Sequence, residues 1–66
     1  MKVLFIICTD DGETIFNAMR LANVGVKNGD EVSVFMLGKG VCFERAGSED
    51  FDVMGQINQF QGDFYV

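Results

Sequence analysis

From Val3 to Ile7 the chain is apolar without a break, and β-branched at Val3, Ile6 and Ile7. An unbroken apolar run this short reads as a strand covered on both faces, as at the centre of a parallel sheet. A first strand is therefore expected over residues 2–7. After Cys8-Thr9-Asp10-Asp11 the spacing changes. Ile15, Ala18, Met19, Ala22 and Val26 recur at helical intervals with Phe16 beside them, which predicts a helix from Glu13 to about Lys27. Asp10 stands where an N-cap belongs, with Glu13 three residues on as its capping-box partner. Asn28-Gly29 supplies a left-handed stop.

The next apolar run, Val32-Ser33-Val34-Phe35-Met36-Leu37, predicts a second strand. Strand, four-turn helix and strand make a βαβ unit, for which a right-handed crossover is the rule. Gly38-Lys39-Gly40 follows as a loop at the strand tip, and Val41 to Arg45 as a short helical turn. Ser48, with Glu49, Asp50 and Asp52, reads as the start of a second helix carrying Phe51, Met54, Ile57 and Phe60. Gly62 ends it, and Asp63-Phe64-Tyr65-Val66 opens a third strand. The prediction is one α/β domain over residues 1–66, in β-α-β-α-β order around a parallel sheet, with the third strand cut short.

Composition narrows the function. A domain of 66 residues buries only about 60% of the surface its unfolded chain exposes. Two cysteines, no histidine and no Cys-x-x-Cys spacing leave neither a disulfide framework nor a structural zinc site to compensate. With 48% apolar residues, seven of them Phe and four Met, burial against other copies is the remaining route, and self-association is expected. A net charge of −5 argues against nucleic acid and against anionic membrane surfaces. No apolar run approaches the roughly 20 residues that span a bilayer. The first apolar run leads into Thr9-Asp10-Asp11 without a small-residue cleavage site, so it reads as a strand and not a signal peptide. A reducing cytoplasm suits two unclustered cysteines.

Candidate chemistry gathers at the strand tips, where open α/β sheets bind their ligands. Cys8 lies between a strand end and a helix start, a setting that favours a thiolate. Asp10, Asp11 and Glu13 oppose that with negative charge, and the bland reading is a small apolar residue closing the strand. Asp10 and Asp11 suit either a Mg²⁺ ion or helix capping, and capping is favoured, so no metal is assigned. Thr9 shares their turn. Gly38, Lys39 and Gly40 form a tight turn that lacks both Walker and dinucleotide spacing, although Lys39 suits an anion. Cys42, flanked by Lys39 and Arg45, has a more cationic setting than Cys8. No residue pattern calls for a cofactor.

The string Val3-Leu4-Phe5-Ile6-Ile7-Cys8-Thr9-Asp10-Asp11, then Glu13 to Asn23, then Gly29-Asp30-Glu31-Val32 through Gly40-Val41, resembles the DsrE/DsrF-like sulfur-relay family of TusD-type proteins. Phe51-Asp52-Val53 extends the likeness more weakly. The resemblance implies a three-layer, flavodoxin-like parallel sheet, assembly into trimers or hexamers, a sulfur-relay protein partner, and sulfur carried as a cysteine persulfide. In such proteins the reactive cysteine follows the third strand, in a loop after a segment like Asp63-Phe64-Tyr65-Val66. Nothing here follows Val66, so the resemblance implies a truncated domain without that cysteine. Cys42, then Cys8, are the only substitutes. A non-catalytic assembly module and a small-ligand or Mg²⁺ binder at the strand tips are the alternatives.

Overall fold

The computed structural model describes all 66 residues. The elements run β1 (Lys2–Ile7), α1 (Gly12–Lys27), β2 (Glu31–Met36), a 3-10 segment (Gly38–Arg45), α2 (Val53–Gln59) and β3 (Asp63–Tyr65). The α/β class, the β-α-β-α-β order and the parallel sheet are as expected. β1 pairs with β2 from Lys2–Glu31 to Ile7–Met36, and β2 with β3 from Ser33–Asp63 to Phe35–Tyr65.

Strand order is where the sequence reading needs correction. The order is β1-β2-β3, so β2 is central and β1 is an edge. Along β1 the side chains alternate: Ile7 is buried, whereas Leu4 and Ile6 are 59% and 56% exposed. An apolar run fits a strand with two covered faces, but here only one face is covered. Both helices lie on that side and pack against each other, α1 donating from Asn23 Nδ2 to the Gln56 carbonyl and to Gln56 Oε1 at 3.0 Å each. These residues therefore build two of the three expected layers, the sheet and one layer of helices. The opposite face of the sheet is bare.

One core fills the space between sheet and helices. Ile7, Val32, Val34 and Met36 come from the sheet, Ile15, Met19 and Ala22 from α1, Val53 from α2, and Phe43 from the 3-10 segment. The helical spacing of α1 matches its burial: Ile15, Met19 and Ala22 are buried, with Ala18 and Val26 half-buried beside them. Phe43 meets Phe64 edge-on at 5.4 Å between ring centroids, and Phe16 meets Phe51 at 5.7 Å. At the end of α1 the Asp30 amide donates to Gly25 O and the Gly29 amide to Val26 O. With φ of +87° at Gly29 this is a Schellman stop.

Two helix starts fall elsewhere than expected. Asp11, not Asp10, caps α1, because Thr14 offers it both an amide and a hydroxyl. The shift puts Glu13 at the second helical position, so the expected capping box does not form. α2 begins at Val53 under an Asp52 cap whose Oδ1 accepts from the Gly55 amide at 3.0 Å. Ser48 instead closes a turn: its Oγ accepts from the Phe51 amide and its own amide donates to Phe51 O. Serine side chains compete with the backbone in this way, so one cap-like residue is easily mistaken for another. Phe51 accordingly lies before α2.

Candidate functional site

Parallel pairing sends the C-terminal ends of β1 and β2 to the same edge of the molecule, and the chain leaves both close together. The Leu37 amide donates to Ile7 O at 2.9 Å, which ties the exit of β2 to the last residue of β1. Gly38, with φ of +53°, turns the chain, and the Gly40 amide donates back to Leu37 O at 2.8 Å. Gly40 then comes to rest on the Ile7–Cys8 peptide. A Cβ at Gly40 would collide with Ile7 O, so no other residue fits without moving the segment. Thr9-Asp10-Asp11 and Gly38-Lys39-Gly40 therefore flank one tip, as the sequence predicts.

On the β1 side of this tip the Asp11 amide donates to Thr9 Oγ1 at 3.1 Å. Asp11 Oδ2 accepts from the Thr14 amide at 3.0 Å and from Thr14 Oγ1 at 2.6 Å. These two bonds, the hydroxyl's first, hold the Asp11 carboxyl below its ordinary value of 3.8. The carboxylate is thus engaged in capping. No group of three or more acids and thiols converges anywhere to hold a metal ion.

Across the tip, Lys39 is exposed and forms no salt bridge; the two in the molecule join Met1 N to Asp30 and Lys2 to Glu31. Cys8 is exposed, so it does not close the strand as a buried apolar residue. Cys42 is half-buried at a kink in the 3-10 segment, with φ of −89° and ψ of 17°. Its Sγ accepts from Arg45 Nη2 at 3.7 Å. Both thiols are free. Cys8, Asp10, Asp11, Gly38 and Lys39 all face solvent, so the tip is an open surface.

The concave surfaces lie elsewhere, where the sequence pattern drew no attention. One, of about 500 Å³, sits at the opposite end of the sheet between Lys2, Asp30, Glu31 and Asp63. A second, of about 250 Å³, runs along the open edge of β1, between Val3 and Phe5 of the strand and Leu21 and Val24 of α1. The exposure of Leu21 and Val24 (60% and 46%) is the only sign of it in single residues. Helical spacing alone puts both off the core face without saying what they meet.

No helix is long and apolar enough to cross a membrane. Compared with models of protein families, with curated proteins and with solved structures, the chain matches none.

Proposed function

We propose that this chain is a non-catalytic assembly module, a DsrE-like scaffold that buries its apolar surplus against copies of itself. One observation carries the reading. The bare face of the sheet presents Leu4, Ile6, Phe35 and Tyr65 together, all more than a third exposed, with Phe35 and Tyr65 in ring contact at 6.0 Å. Contiguous apolar surface rimmed by polar residues is the usual sign of a protein contact. Only ten of 66 residues are buried, so the isolated chain leaves much of its hydrophobic potential unused. Sedimentation velocity over a hundred-fold range of concentration tests the proposal. Growth of a defined oligomer is expected, and a folded monomer throughout would refute it.

A second reading, persulfide carriage on Cys42, is favoured by the contact between its sulfur and Arg45. The Cys42 thiolate would attack the terminal sulfur of a donor persulfide. The donor's S–S bond breaks, its thiolate leaves, and Cys42 keeps the transferred sulfur as a persulfide. Arg45 would stay paired with the anionic sulfur before and after transfer. Incubation with a persulfide donor and intact mass measurement decides it. A gain of one sulfur atom that Cys42→Ala abolishes supports carriage, and an unchanged mass ends it.

A further inference from the structure

β1 is an edge strand of six residues, long for an unprotected edge. Its hydrogen bonds to β2 begin with Glu31 N to Met1 O and end with Leu37 N to Ile7 O. The odd-numbered residues therefore face β2, and the backbone groups of Lys2, Leu4 and Ile6 point outward, unpaired. The opposite edge, β3, is only three residues long. Beside β1 runs the groove between Val3, Phe5, Leu21 and Val24. An open strand next to an apolar groove is the arrangement that receives an added strand.

We propose that the added strand is β1 of a second copy, antiparallel about a two-fold axis at Phe5, so that Lys2 of each copy lies beside Cys8 and the Asp10-Asp11 turn of the other. The inference rests on the reading that copies of this chain associate, but it places their contact at the β1 edge, where only Leu4 and Ile6 of the bare face meet across the seam, and it fixes the register.

The symmetry of the pairing comes first. Two identical edges that close on each other do so isologously, which makes the strands antiparallel. The side-chain alternation then restricts the register, since core-side residues must oppose core-side residues. Centring on Leu4 sets Lys2 against Ile6, a charge against an apolar side chain. Centring on Phe5 sets Leu4 against Ile6, Val3 against Ile7 and Phe5 against Phe5, and every one of these pairs is apolar. It also sets Lys2 against Cys8, the residue before the acidic turn.

Charge supports an antiparallel partner. Lys2 is the only charged residue of β1, and Asp10 and Asp11 are exposed just past its far end. An antiparallel partner brings these opposite charges together at both ends of the new ladder, in a chain of net charge −5. Both α1 helices then lie on one side of a six-stranded sheet, with their exposed Leu21 and Val24 flanks turned toward each other. The strand tip gains a second cation in addition to its own Lys39.

Register-specific cross-linking tests this in the Cys8→Ser, Cys42→Ser background. Leu4 and the partner's Ile6 form a hydrogen-bonded pair with Cα atoms about 5.5 Å apart, within disulfide reach. Leu4→Cys mixed with a tagged Ile6→Cys should give a covalent heterodimer on oxidation, while neither alone gives a dimer. Ile6→Pro removes an outward amide without touching the β2 ladder, and should lower association at least ten-fold with circular dichroism unchanged. Lys2→Glu should weaken association several-fold at low salt. Oligomers that persist in Ile6→Pro, or that cross-link Leu4→Cys to itself, overturn the pairing and leave the assembly reading standing. A wild-type monomer at every concentration overturns both.

Discussion

Gly40 lies so close to Ile7 that the carbonyl oxygen of the strand's last residue occupies the space a side chain would need. The contact fastens the 3-10 segment, and with it Phe43, to the tip of β1. Gly40→Ala should therefore destabilise the fold by about 1–3 kcal/mol, the usual cost of overpacking. At Gly47 an added Cβ would find only ordinary contacts of 3.4 Å or more, so Gly47→Ala is the control. Urea unfolding of the two variants checks the difference: the midpoint should fall for Gly40→Ala and hold for Gly47→Ala.

Capping of α1 makes a prediction in pH. The Asp11 carboxyl is held below 3.8 in the folded chain by its bonds from Thr14, so the unfolded chain binds the proton more readily. Stability from this group is complete above 3.8 and is lost as pH falls through the lowered folded value. Asn at this position still caps but does not titrate. Urea midpoints from pH 5 downward should fall less steeply for Asp11→Asn than for wild type in this window. Equal slopes would mean that the cap is not formed in solution.

How much could be read from the chain depends on which physical signal each element carries. α1 was legible to within a residue because one face of a helix must be buried, and Ile15, Met19 and Ala22 record that face at fixed spacing. β1 was legible as a strand but not as an edge. Val3 to Ile7 would look the same whether Leu4 and Ile6 were covered by helices, by another copy or by nothing. Strand order depends on where crossovers land, which no local pattern encodes. The caps were ambiguous for a different reason: Asp10 and Asp11, or Ser48 and Asp52, are chemically equivalent candidates, and Thr14 and Gly55 decide between them. For the site, the rule that parallel strands bring their tips together located Cys8 and the Gly38-Lys39-Gly40 turn correctly. It did not foresee an open tip, nor concavities at the far end of the sheet and along β1, because those are made by side chains distant in sequence.

The core is too small to tolerate a cavity. A domain of this length has a total stability of about 3–10 kcal/mol. Met19 of α1 is fully buried in the core, and Met→Ala in such a place costs about 2–5 kcal/mol. Met19→Ala should lose most or all cooperative unfolding at room temperature, whereas Lys27→Ala, on the exposed side of the same helix, should match wild type. Thermal melts by circular dichroism distinguish them.

Phe35 separates the two surfaces on which copies can meet. It lies on β2, in the middle of the bare face, paired in register with Ile6 on one side and Tyr65 on the other. It is 37% exposed and belongs to no part of the core, so Phe35→Thr should shift the urea midpoint little. Threonine also suits a strand. The effect on assembly depends on geometry. Pairing through the β1 edge leaves the bare faces coplanar and uncovered, so Phe35→Thr should lower binding of an apolar dye such as anilinonaphthalene sulfonate while leaving the cross-linked pair intact. Packing face to face would instead bury Phe35 against a partner, and the same substitution would dissolve the oligomer. Measuring dye fluorescence and sedimentation on one sample of Phe35→Thr therefore tells an edge contact from a stacked one: an edge contact loses dye signal and keeps the oligomer, whereas a stacked contact loses the oligomer and gains dye signal as Leu4, Ile6 and Tyr65 are uncovered.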